Sequence, residues 1–115
     1  MQVVYVSSAA GAMSAAERAA LAAQARARSA SARLTGLLLH HGEHYYAVIE
    51  GPRRRVLQRI EEIIAEQGQR GLRILREEAI RARRFANWSD GVIPAEAGAA
   101  SPDEFLWRFC GLRPE

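Results

Sequence analysis

The sequence predicts an α+β domain on the ferredoxin-like βαββαβ plan, with an extra final strand and a short C-terminal helix. Three observations support this. Two apolar runs, Leu34 to His41 and His44 to Glu50, are joined through His41, Gly42 and Glu43, the spacing and glycine content of a tight β-hairpin. An Ala-rich segment with a helix-start signal precedes the hairpin, and a segment with apolar residues at helical spacing follows it. Short runs suited to strands flank both segments, which completes the alternation of the plan.

In chain order, Gln2 to Ser7 (QVVYVS) is β-branched and aromatic and reads as an opening strand, with a small-residue turn through Ala9, Ala10 and Gly11. Ser14 with Glu17 three residues on forms a capping box, and the following alanines have near-maximal helix propensity. That helix is expected to run to about Arg28 and to stop across Ser29 to Ser31. After the hairpin, Gly51 and Pro52 close the second strand, and proline at a first helical position starts another helix. Its Val56, Ile60, Ile63 and Ile64 share one face, which must be buried. Gly68 and Gly71 end it, Leu72 to Leu75 reads as a strand running into Glu77 and Glu78, and Trp88 to Ile93 reads as a final strand after an Arg-rich connection. Pro94 to Pro102 reads as a loop, and Asp103 to Leu112 as a short apolar helix. The expected division is therefore residues 1–93 as the ferredoxin-like unit and 94–115 as a loop and helix packed on the sheet.

Composition bounds the functional classes. A chain of 115 residues, 49% hydrophobic and 25% charged, is one globular domain's worth and long enough to bury a core. No run approaches the roughly 18 consecutive apolar residues of a membrane span. The N-terminus has no basic segment followed by a long apolar one, and the lone Cys110 permits no internal disulfide, so a cytoplasmic location is expected. All 16 basic residues other than histidine are arginine, and 22 residues are alanine, a bias that reads as genome composition. The net charge of +3 comes with 13 interleaved acidic residues, which does not indicate a broad nucleic-acid field.

Three blocks carry a resemblance: VVYVSSA at the start, ARLTGLLLHHGEHYYAVIEGP through the hairpin, and RARRFANWSDG near the end. In this order and at these intervals they resemble the BLUF domains, blue-light sensors that use FAD, over Gln2 to Gly91. The resemblance implies that a flavin ring lies between the two helices and that sensing is hydrogen-bond chemistry among a strand-one Tyr, a hairpin Gln whose amide rearranges, and a last-strand Trp and Met. An amide suits this role because rotation exchanges its donor and its acceptor. Carried over residue by residue, the implied cofactor-binding positions are Tyr5, Ser7, Arg28, Ser29, Ala47, Trp88 and Asp90. Tyr5, Ser7 and Trp88 match the family pattern. Ala47 stands where the family has its Gln, Asp90 where it has Met, Ser29 where it has Asn, and Glu62 where a phosphate-approaching Arg often stands, with Arg55 or Arg59 near enough to substitute. Removing the Gln deletes the element whose two states are the mechanism. The resemblance therefore implies a flavin-type sensor domain, signalling to a downstream protein partner, that is degenerate in photoswitching. The alternative is a working FAD photoreceptor in which Asp90, Ser29 or water takes over the role of the Gln.

Each singled-out residue also has a plainer reading. Tyr5 could be a core Tyr with a fixed partner, for which Asp90 is a candidate. His40, His41 and His44 read as residues of a polar hairpin rather than metal ligands, because neighbouring strand residues face opposite ways. Arg53, Arg54 and Arg55 at a helix start, and Arg81, Arg83 and Arg84 later, read as anion sites or as solvated charge runs. Trp107 and Phe109 read as cover for the sheet, or as a homodimer interface, and Cys110 as a small buried hydrophobe. An RNA-binding module on the same fold is disfavoured because Tyr45 and Tyr46 face opposite ways. No nucleophile, base and orienting group stand at catalytic spacing, so no enzyme site is expected. Acylphosphatase-like catalysis in particular lacks an Arg in SSAAGAMS.

Overall fold

The computed structural model describes residues 1–8, 14–41, 44–67 and 72–93. The expected turn at Ala9 to Gly11, the Gly42 and Glu43 turn, the Gly68 and Gly71 stop, and the C-terminal loop and helix all lie outside the described residues. Seven elements follow in the expected order: β1 (Gln2–Ser8), α1 (Ala15–Ser31), β2 (Thr35–His41), β3 (His44–Glu50), α2 (Arg53–Gln67), β4 (Arg73–Glu78) and β5 (Trp88–Ile93). The sheet order is β4-β1-β3-β2-β5. The first four strands pair antiparallel, and β5 adds to the free edge of β2 in parallel.

The capping box forms as read: Glu17 N donates to Ser14 Oγ at 3.1 Å, and Ser14 N donates to Glu17 Oε1 at 3.2 Å. The first helix runs three residues past its expected end, to Ser31, because Ser29 lies on its buried side and is held there by packing. Pro52 sits just outside α2, where its carbonyl accepts the Val56 N–H at 3.0 Å. β4 extends to Glu78 along β1.

Register assigns side chains to faces. Val3, Tyr5, Ala47, Ile49 and Leu38 share the face that packs on Val56, Ile60 and Ile63 of α2, with Leu21 and Ala25 of α1 against the same cluster. Val4, Val6, Tyr46, Val48 and Leu39 form a second buried cluster on the opposite face, with Leu75 and Phe85 against it. Tyr45 and Tyr46 therefore fall on opposite faces, as strand alternation requires.

Glu50 joins the elements. Its side chain is fully buried on the second face, where Oε2 accepts from Gln2 Nε2 at 2.7 Å and Oε1 accepts the Arg84 and Phe85 N–H groups at 2.8 Å each. Next to it, Arg83 donates to Thr35 Oγ1 at 2.8 Å, to the Glu50 carbonyl at 3.2 Å and to the Arg33 carbonyl at 2.8 Å. The Arg83 ambiguity thus resolves to a structural clamp over the α1–β2 turn, where Arg33 has a φ of 59°. Gly36 has a second requirement. Its φ is 146° and an added Cβ would collide with the Val48 carbonyl, so the central strands approach only with glycine there.

Two stability outcomes follow. Glu50→Ala should cost about 3 kcal/mol in urea unfolding, because it leaves buried N–H donors unpaired and removes bonds to a charged acceptor. Gly36→Ala should destabilise by at least about 1 kcal/mol, since both backbone conformation and space oppose a side chain; an unchanged urea midpoint would contradict the close approach.

Candidate functional site

The helix-facing side of the sheet carries a cross-strand row running Ile74, Tyr5, Ala47, Leu38, Asp90 from β4 to β5. One step along the strands, Ser7, Tyr45 and His40 form a second row; one step the other way, Val3, Ile49, Gly36 and Trp88 form a third. These rows bring most of the sequence-predicted positions onto one surface. Tyr5 is buried, and Ala47, at 1% exposure, sits beside it as a methyl group between the Tyr and Leu38.

Above Tyr5 and Ser7, α1 and α2 enclose an inner cavity of about 30 Å³, also lined by Gln24, Tyr45 and Arg59. That is about the share of volume of one water molecule. An outer cleft of about 330 Å³ lies between the helices, with Arg28 from α1 and Arg55, Arg59 and Glu62 from α2 on its walls. Arg59, 6% exposed, lines both spaces. It donates to Glu62 Oε1 at 3.5 Å, so the acidic residue at the family's Arg position is countered by a neighbour one turn away. Among the described residues the outer cleft is lined by three guanidinium groups and one carboxylate, an excess of positive side chains.

Buried hydrogen-bonding groups usually have partners, so orphaned ones mark a surface built for something else. Ser7 Oγ, Ser29 Oγ and Trp88 Nε1 are buried without a partner among the described residues. Ser7 lines the inner cavity, Ser29 belongs to α1 beside the cleft-lining Arg28, and Trp88 packs against the helix-side core. Orphaned hydroxyls, a buried Tyr and an arginine-rich outer cleft fit a planar, polar-edged group with an anionic tail.

The family model described as "BLUF: Sensors of blue-light using FAD" matches residues 1–91. The chain belongs to the BLUF family. Among solved structures, the BLUF protein BlrB in its dark state is 25% identical, with a TM-score of 0.72 over 96% of this chain and 77% of that one. A bacterial light-regulated adenylyl cyclase is 22% identical at a TM-score of 0.71, covering 96% of this chain and 33% of that one. Klebsiella pneumoniae BlrP1, in a calcium and cyclic diGMP complex, is 19% identical at a TM-score of 0.72, over 99% of this chain and 28% of that one. The chain thus spans about a third or less of the cyclase and of BlrP1; these two likenesses speak to the fold. A search of curated protein sequences returns no match. BLUF domains bind FAD and act as the sensor part of the proteins that contain them. Among the described residues, no helix is long and apolar enough to cross a membrane.

Two sequence expectations change. Asp90 does not stand free as a partner for Tyr5: its Oδ2 receives Arg26 Nη2 at 2.6 Å, an α1-to-β5 ion pair made possible because the parallel addition of β5 brings Asp90 beneath the helix. The three histidines are not uniformly residues of a polar hairpin. His40 is 8% exposed and stacks edge-on against Tyr45 at 4.7 Å, because its row faces the helices, whereas His41 pairs across the hairpin with His44 on the other face. No group of three or more potential metal ligands forms among the described residues. Sequence reasoning missed Gln24 as a lining residue; its spacing of three from Leu21 on an otherwise Ala-rich helix was the available signal.

Burial first, then the Arg18 and His41 charges, hold His40 below its ordinary 6.5. Burial pushes the Tyr45 hydroxyl up, with Arg18 opposing. For His40 the folded state prefers the neutral ring, so the unfolded chain takes up the proton first. Its contribution to stability is complete above 6.5 and is lost as pH falls from there through the lowered folded value. The difference in unfolding free energy between the parent and His40→Gln should therefore shrink as pH is lowered below about 6.5, measured by urea titration at several pH values. Asp90→Met should cost no more than about 1 kcal/mol, because Arg26 at the other end of the pair is largely exposed.

Proposed function

We propose that this chain is a flavin-binding sensory domain that retains the cofactor cradle and lacks the amide switch. The observation that carries the reading is Ala47. It sits at 1% exposure in the row between Tyr5 and Leu38, where its methyl group offers neither donor nor acceptor, so the strand position that carries the family's amide has no two-state hydrogen-bonding group.

The supports for flavin binding are the orphaned Ser7 and Ser29 hydroxyls, the buried Tyr5 and the arginine-rich outer cleft. Ser7, Ser29 and the Trp88 indole would hold the polar edge of the ring system, and Arg28, Arg55 and Arg59 its phosphates. A bound flavin supplies a light-excitable electron acceptor. Tyr5, which lines the inner cavity together with Tyr45, is the family-pattern residue able to give up an electron and a proton, and Ser7, two residues on along β1, lines the same cavity. Because the inner cavity holds only about 30 Å³, admitting a ring system requires α1 and α2 to separate at their inner ends. Asp90 is paired with Arg26 and the Ala47 side chain has no polar atom, so neither side chain offers the exchange of donor and acceptor that a rotating amide does. The likeness to a light-regulated cyclase supports a role in which the domain's state is read by a protein partner.

Absorbance spectroscopy on the protein reconstituted with FAD tests this. Flavin should be retained through gel filtration, and blue light should give no reversible red shift of the flavin band. Ala47→Gln, combined with Asp90→Met and Ser29→Asn, should restore such a shift. A reversible red shift in the unmodified protein would overturn the loss of the switch, and failure of both proteins to retain FAD would overturn the cradle.

A further inference from the structure

The flank of α1 facing β5 holds a separate cleft of about 250 Å³. Ala15, Ala19 and Ala22, spaced so that they share one side of α1, form one wall; larger side chains there would fill the space. Leu38, His40 and Tyr45 line it from the sheet, and Gly91 from β5. The cleft shares Leu38 and Tyr45 with the inner cavity and no residue with the arginine-lined outer cleft. Its walls are mainly apolar, the usual make-up of small-molecule sites.

Both ionised residues of the lining are already engaged. Asp90 Oδ2 receives Arg26 Nη2 at 2.6 Å. Arg18 has an interaction of its own within the protein, and its effect on the Tyr45 hydroxyl is opposed by the neighbouring Glu17 carboxylate. A charged ligand would lose hydration on entering and meet no uncommitted counter-charge in this lining, whereas a neutral, mainly apolar one loses little.

One polar atom of the lining stands apart. His40 is nine-tenths buried, and its Nε2 has no hydrogen-bond partner among the described residues. Burial first, then the Arg18 and His41 charges, hold its pKa below the ordinary 6.5, so at neutral pH the ring is uncharged, with one nitrogen a donor and the other an acceptor. A hydroxyl both donates and accepts, and so it serves Nε2 in either tautomer. Nε2 is closed to water, and the imidazole must turn about χ2, a soft torsion, to meet a ligand. The same ring meets Tyr45 edge to face at 4.7 Å, which gives the cleft an aromatic base. A space of about 150 Å³ suffices for one benzene ring in an engineered protein cavity, so a substituted ring fits here.

From the alanine wall, the committed charges of the lining and the orphaned His40 Nε2, we propose that the cleft between α1 and β5 is a second ligand site, for small neutral hydroxyarenes. The ring lies against Ala19, Ala22 and Leu38, and the hydroxyl hydrogen-bonds to His40 Nε2. The proposal goes beyond the flavin reading and does not rest on it.

The test is a titration of the isotopically labelled protein with phenol, with toluene as the isostere lacking a hydroxyl and benzoate as a charged counterpart, followed by amide NMR. Phenol should give saturable shifts at Ala19, Ala22 and Gly91, and benzoate should bind more weakly than phenol. His40→Phe keeps a ring against Tyr45 and removes the nitrogens. It should lower the ratio of phenol to toluene affinity about fivefold, the worth of roughly one net hydrogen bond, while toluene still binds. Ala22→Leu, which keeps helix propensity and fills the cleft, should abolish binding of both. An unchanged ratio in His40→Phe, benzoate binding tighter than phenol, binding that persists in Ala22→Leu, shifts confined to the outer cleft around Arg55 and Arg59, or no saturable shift would each overturn the proposal.

Discussion

A buried carboxylate with three donors from two parts of the chain is the constraint on which this fold depends. Glu50 ends β3, and through it the start of β1 and the connection ahead of β5 are fixed to one point. An ionised group taken fully out of water is tolerated only when its acceptor capacity is met, so the connection cannot drift without exposing the cost of that burial. Arg83 reinforces the arrangement by holding carbonyls of the α1–β2 turn and of Glu50 itself. The Gly36 N–H then donates to the Asn87 carbonyl at 3.2 Å, which starts the parallel pairing of β5 on β2. The fifth strand, and with it Trp88 and Asp90, is placed by this polar joint more than by its own weak strand character.

The site inherits its order from that placement. Because β5 pairs in register with β2, Asp90 completes the row that starts at Tyr5 and passes through Ala47, and Trp88 completes the row next to it. The helices cover this face, so every polar atom on it must find a protein partner, a ligand or water. Those left without a protein partner among the described residues include the Ser7 hydroxyl, His40 Nε2 and the Trp88 indole, while the position between Tyr5 and Leu38 is apolar. The contrast is physical. On the proposed reading, a cradle can survive the loss of a hydrogen bond or two, since each contributes about 1 kcal/mol, but a switch cannot survive the loss of the group that has two states.

Much of this was legible in the chain. The capping box, the hairpin spacing and the Val56–Ile60–Ile63 stripe announce elements that formed, because each reflects a local requirement: orphan helix N–H groups, a tight turn, an apolar face. The family blocks carry Tyr5, Ser7 and Trp88, and strand register puts these three on the helix-facing side of the sheet. Less legible were pairings between distant residues. Arg26 and Asp90 are 64 positions apart, and only the parallel addition of β5 brings them together. His40 could be assigned to a face by alternation, but its burial follows from α1 lying over that face, which no local pattern states.

The sequence by itself determined the order and type of the elements, the assignment of strand residues to two faces, and the absence of an amide at position 47. These follow from periodicity and residue chemistry, which act over a few residues. Tertiary structure decided which charges cancel, which hydroxyls remain unpaired, and that α1 has a cavity on each flank. Those properties depend on how closely elements far apart in the chain approach, and on Glu50 and Arg83 fixing that approach through polar contacts.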